Sequence, residues 1–141
     1  FVGEMMKRVL LVALFAMACT AHAEKKDKVY TVQSATNPDA VDSGSQAVLE
    51  ITITPKPPWV LKTTTPMKIK LEGSKGVRLD KKKLSNKDIT DPKTEAKSVK
   101  AGFEATEKGE QRIDADMSFF LCTEEICQRY TDKTKATFTV N

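Results

Sequence analysis

Cys122 and Cys127 are the residues of this chain whose type and spacing can do chemistry. Two thiols with four residues between them can close into a disulfide, which either holds a loop shut or exchanges electrons with a partner's thiols. Glu124 and Glu125 lie between the sulfurs and Arg129 is the nearest cation in sequence. Nearby carboxylates disfavour a thiolate, so a thiol in this loop is not expected to be strongly acidic, which argues against an attacking oxidase centre. Attack by a partner's thiolate stays open, because exchange depends on access as well as acidity. The competing reading is a staple: a bond closing a loop of about six residues stabilises a small secreted domain by about 2 kcal/mol on the chain-entropy model.

The element that carries the pair is an alternating strand. Ile113, Ala115, Met117, Phe119 and Leu121 take the odd positions; Arg112, Asp114, Asp116 and Ser118 take the even ones. This period of two predicts a strand with one buried face. Phe120 and Cys122 are even-numbered, so without a bulge they emerge together on the outer face. The rest of the mature chain also reads as β. Val29 to Val32 is a short apolar run, and Ser34 to Gln46 is polar and turn-rich. Leu49, Ile51 and Ile53 alternate with polar residues until Pro55, Pro57 and Pro58 end the strand. Met67, Ile69 and Leu71 form a second alternation, and a Gly73 to Gly76 turn leads into Val77–Leu79.

Asp80 to Lys97 is polar and anchored only by Leu84, Ile89 and Ala96, which predicts a long connection with room for a short edge strand. Val99, Ala101, Phe103 and Ala105 alternate, Glu107 to Glu110 reads as a hairpin turn, and Ala136, Phe138 and Val140 close the chain. About seven short strands, with no convincing helix and no repeat, predict an all-β, immunoglobulin-like antiparallel β-sandwich, with an up-and-down barrel as the lesser alternative.

The N-terminus decides which residues count. Lys7 and Arg8 precede an apolar run from Val9 to Met17, and Ala21-His22-Ala23 places small residues where a signal peptidase reads. Residues 1–23 are therefore expected to be a cleaved signal peptide, with Phe1 to Glu4 ahead of the candidate start residues Met5 and Met6. A minor alternative makes Cys19 the lipidated first residue of an anchored lipoprotein. Residues 24–141 are expected to form one domain, periplasmic or secreted, and no later run approaches the ~20 apolar residues of a membrane span.

Without Glu4, Lys7 and Arg8 the mature chain keeps 21 basic and 18 acidic residues, a net charge of +3. That balance, with lysines scattered and not interleaved with aromatics, does not point to nucleic acid. His22 is the only histidine. Once it leaves with the signal peptide, histidine-dependent hydrolysis and histidine-ligated zinc are excluded. No metal or cofactor is expected. Cys19 leaves as well, so an even pair remains in an oxidising compartment and a Cys122–Cys127 disulfide is the expected state. Trp59 reads first as a core residue and Lys81-Lys82-Lys83 as a solvated loop; Asp114 and Asp116 read as solvent-facing carboxylates.

The stretch Phe119-Phe120-Leu121-Cys122 to Cys127, with the terminal Ala136 to Val140 strand, resembles the periplasmic N-terminal domain of DsbD-type thiol:disulfide interchange proteins. Pro57-Pro58-Trp59 followed by Pro66-Met67-Lys68-Ile69 is weakly similar to that family's early aromatic stretch. The resemblance implies an immunoglobulin-like domain whose two cysteines, Cys122 and Cys127, take electrons from a membrane thiol reductase and pass them to thioredoxin-like envelope proteins. It also implies a shielding aromatic, for which Phe120 and Tyr130 are the candidates. The chain departs from the full-length proteins in lacking their transmembrane carrier and C-terminal thioredoxin-like domain, and its cysteine loop is short. A non-catalytic binding or assembly module with a purely structural bond is the alternative, so the residues leave open whether the protein is an enzyme.

Overall fold

Residues 28–141 are described by a computed structural model, and the expected leader lies outside the described residues. The alternating segments build two sheets that face each other. One contains β1 (Tyr30–Asn37), β3 (Gln46–Pro55), β7 (Lys97–Ala105) and β5 (Val77–Leu79), in the order β1-β3-β7-β5. The other contains β2 (Ala40–Val41), β9 (Cys127–Val140), β8 (Gly109–Cys122), β4 (Lys68–Gly73) and β6 (Lys83–Ser85), in the order β2-β9-β8-β4-β6. Every pairing is antiparallel except the parallel contact of β2 with the end of β9.

This is the immunoglobulin arrangement. β1, β3, β7 and β5 hold the places of strands A, B, E and D, while β4, β8 and β9 hold those of C, F and G. The order of visits differs in one respect: β5 comes before β6, so the chain reaches the D edge, crosses to the far edge beside β4, and then returns. Ile89 marks the return by bridging to Val99 of β7. The first crossing, from β4 to β5, turns at Gly76, whose φ of +81° and tight approach to the Glu107 side chain leave no room for a Cβ.

The core lies between the sheets. Leu49, Ile51, Ile53, Val99 and Phe103 face Ile69, Ile113, Met117, Phe119, Leu121 and Phe138, all buried. Each such side chain contributes about 1.5–3 kcal/mol relative to exposure. Phe103 and Phe138 meet across the interior with ring centroids 5.0 Å apart.

Three elements exceed what alternation predicts. β1 runs on through Gln33 to Asn37, because its backbone pairs with Val48 to Thr52 of β3 whatever its side chains are. β9 starts at Cys127 and not near Ala136; its first half pairs with β8 while carrying Tyr130, Asp132 and Thr134 on the inward side. The Asp80 to Lys97 connection holds the expected edge strand, β6, anchored by buried Leu84. A 3-10 turn at Asn86–Asp88 follows, capped by Ser85. The connection is also fixed by Lys97, whose buried ammonium donates to the carbonyls of Pro92 and Thr94. Burial of a lysine requires such partners, and nothing local in the sequence marks them.

Phe103→Ala should lower unfolding free energy by about 3–5 kcal/mol, the usual cost of an emptied aromatic core position. Urea titration followed by tryptophan fluorescence measures it, with an unchanged m-value showing that the fold is retained.

Candidate functional site

The hairpin of β8 and β9 is paired residue by residue from Gly109↔Val140 to Cys122↔Cys127. Its tip is closed by the Cys122–Cys127 disulfide, with 4.0 Å between the Cα atoms. The N–H of Cys122 donates to the Val60 carbonyl and its own carbonyl accepts from the Val60 N–H, both at 2.9 Å. Those bonds point away from β9, so Cys122 and Cys127 form a non-hydrogen-bonded pair, the kind in which opposing side chains come closest. Beyond them, the Thr123 N–H donates to the Ile126 carbonyl at 2.8 Å. The Thr123 Oγ1 accepts from the N–H groups of Glu125 and Ile126. Every polar group that fixes the turn is thus internal to it, and the carboxylates of Glu124 and Glu125 are left in solvent.

By register the bond lies on the outer face of its sheet, two residues along from the opposed pair Phe120 and Arg129. The two sulfur-bearing residues are not equally accessible. Cys127 is exposed, whereas Cys122 is only 1% exposed. Outward direction does not make Cys122 accessible; Val60 bridges to it on the side away from Cys127. The outward register expected for Cys122 therefore holds, but the accessibility expected with it does not. The bond also differs from the inter-sheet disulfide of antibody domains, since it joins neighbouring strands of one sheet and does not clamp the sandwich.

The two shielding candidates are on opposite faces. Phe120 is half-buried and on the face of the disulfide. Tyr130 pairs with Phe119 on the inner face, so it is not placed to cover the sulfurs. It belongs to an aromatic cluster that supports this end of the sandwich: its ring lies 5.4 Å from Tyr30, 6.1 Å from Trp59 and 6.2 Å from Phe119. Trp59 is half-buried against that cluster and only partly the core residue its size predicts.

Sequence reasoning missed the apolar rim. Val60 and Ile126 are the exposed large hydrophobic residues among those described, 48% and 55% exposed, and they flank the disulfide from two segments. Ile126 was visible as an isolated apolar residue in a polar turn, whereas nothing local marks Val60. A shallow depression of about 540 Å³ at this end is lined by Pro58, Val60, Lys62, Cys122, Glu124 and others. A wider one on the outer face of the same sheet is bordered by Lys70, Glu72, Asp114, Asp116, Lys133 and Lys135. It gathers charges of both signs and no cysteine. Asp114 there pairs with Arg112 at 3.2 Å, and no cluster of three metal-ligating side chains occurs among the described residues.

Asp132 joins the two sheets below the tip. It accepts from the Tyr30 hydroxyl at 2.9 Å, from Lys28 at 3.2 Å and from the Lys133 N–H at 2.8 Å. Burial works to raise its pKa, but the bonds from Tyr30, Lys133 and Lys28 together hold the carboxyl below its ordinary value. Tyr30 is pushed the other way, up to about 12, by burial first and then by its bond to Asp132.

No protein-family model and no curated protein matches the chain. Among solved structures it is similar to AggA, the major subunit of aggregative adherence fimbriae type I from Escherichia coli, at 9% identity and a TM-score of 0.37. That alignment covers 81% of this chain and 97% of the other.

Replacing both cysteines, Cys122→Ala with Cys127→Ala, should cost about 2 kcal/mol of stability and leave the fold intact, as measured by urea unfolding and circular dichroism. The Tyr30 pair predicts an alkaline limit. With a pKa of about 12 when folded against ~10 when unfolded, the contribution of Tyr30 is complete below pH 10 and is lost as pH rises toward 12. Stability should fall across that window, and Tyr30→Phe should flatten the fall.

Proposed function

We propose that this chain is an envelope thiol:disulfide exchange module, related to the N-terminal domain of the DsbD-type proteins, that works through Cys122 and Cys127. The observation that carries the reading is the exposure of Cys127 at a rigid hairpin tip, flanked by the uncovered apolar side chains of Val60 and Ile126. Exposed apolar groups gathered around one reactive bond are what a transient protein partner needs for docking. No helix among the described residues is long and apolar enough to cross a membrane. In this reading the electrons come from the dithiol of a partner thiol protein.

Access sets the order of events. The thiolate of a reduced partner attacks the sulfur of Cys127, the Cys122–Cys127 bond breaks, and Cys122 leaves with the electron pair and takes up a proton. The partner's second thiol then attacks the mixed disulfide and releases Cys127, which is protonated in turn. Two electrons and two protons have moved from the partner's dithiol to this pair. The reverse sequence, with Cys127 as the attacking thiolate, passes them to the disulfide of a thioredoxin-like acceptor. In this reading Phe120, half-buried on the same face, is the candidate for limiting access to the sulfurs. The chemistry is carried by the side chains alone, without a cofactor.

The second reading, a binding or assembly module with a structural bond, is favoured by the burial of Cys122 and its double backbone tie to Val60. A thiol-buffer titration separates the two. Exchange requires a midpoint above about −300 mV, the range below which structural bonds sit. It also requires that Cys122→Ser, which leaves Cys127 free, trap a mixed disulfide with a thioredoxin-like protein, while Cys127→Ser traps far less. A midpoint below that range, with neither variant forming adducts, would establish the staple.

A further inference from the structure

The hydrogen-bond pattern of β9 leaves one stretch of its outer edge open. Cys122 bonds to Val60, so in this ladder the even residues of β8 and the odd residues of β9 turn their N–H and C=O groups away from each other. The odd residues of β9 therefore face the free edge of the sheet. Three features bear this out along the strand. The Asn141 N–H just past β9 donates to the Val41 carbonyl of β2, the Lys135 carbonyl accepts from the Ser34 hydroxyl, and the Lys133 N–H donates to the Asp132 carboxylate. Each closes part of the edge. From Cys127 to Thr131 no such partner occurs among the described residues, so the outward groups of Cys127, Arg129 and Thr131 are not paired by any of them.

We propose that this open edge is a docking strand, on which an extended segment around the partner's reactive cysteine pairs by β-strand addition and so brings its sulfur to Cys127. The inference rests on the exchange reading and deepens it by specifying how the partner is held. An unpaired edge is a template for an added strand, and main-chain bonds supply affinity with little demand on side-chain sequence. The open length, about five residues, is a normal short strand, and it ends where Asp132 caps the edge. Cys127, the exposed member of the disulfide, stands at its first position, so pairing on the strand fixes the approach of the incoming thiol.

The probes are two heptapeptides with one central cysteine, one alternating valine and threonine and the other carrying proline on both sides of the cysteine. Each is coupled to Cys127 in the Cys122→Ser protein, and amide exchange is followed by NMR. The amides of Cys127, Arg129 and Thr131 should exchange fast in the free protein and at least tenfold more slowly in the adduct with the valine–threonine peptide, but not with the proline peptide. The valine–threonine peptide should also open the wild-type disulfide about tenfold faster, the effect of two added backbone bonds. Adducts that form without protecting these amides would overturn the docking strand and leave exchange standing. Protection already present in the free protein would overturn it too, by showing the edge occupied by the chain's own N-terminal residues. Failure of both peptides to couple would overturn the exchange reading and this inference together.

Discussion

The register of β8 against β9 is the constraint on which the rest of the structure depends. Fourteen successive pairs, from Gly109↔Val140 to Cys122↔Cys127, allow each side chain only one of two directions. A slip of one residue would turn Ile113, Met117 and Phe119 out to solvent and destroy the core. The cost of that slip holds the register, and the register then places Cys122 opposite Cys127, Phe120 opposite Arg129, and Phe119 opposite Tyr130. It also decides which backbone groups of β9 face the sheet edge. Core, disulfide and edge are consequences of one pairing.

The tip is held firmly for a surface turn. Thr123 satisfies the turn from within, Val60 pairs with Cys122 on one side, and the Tyr30, Trp59, Phe119 and Tyr130 rings pack beneath it. Such support keeps the geometry of the bond fixed while one sulfur-bearing residue is exposed. A disulfide that spanned the two sheets would serve mainly to clamp the sandwich. This one joins strands already bonded to each other, at the end of the domain where Val60 and Ile126 are exposed.

Much of this was legible from the residues. Alternation placed Leu49 to Ile53, Met67 to Leu71, Val99 to Ala105 and Ile113 to Leu121 on buried faces, because burial on one side of a strand selects side chains at every second position. The close spacing of Cys122 and Cys127 anticipated the bond. Less was legible in the first half of β9 and the second half of β1, where polar residues form strands because long neighbouring strands offer them backbone partners. Tyr130 carried no local sign of its face until its pairing with Phe119 was known.

The sequence by itself determined the β class, the inner and outer faces of the central strands, and the close spacing of Cys122 and Cys127. Those properties depend on residues close together in the chain. Only the tertiary structure decided that Cys122 is buried while Cys127 is exposed, that Val60 and Ile126 rim the bond, and that no described residue pairs with the β9 edge from Cys127 to Thr131. Each of these depends on a segment distant in sequence: Val60 beside Cys122, Ser34 at Lys135, β2 at the end of β9. Accessibility and unpaired backbone are set by which neighbours arrive, and no local pattern in the residues records that.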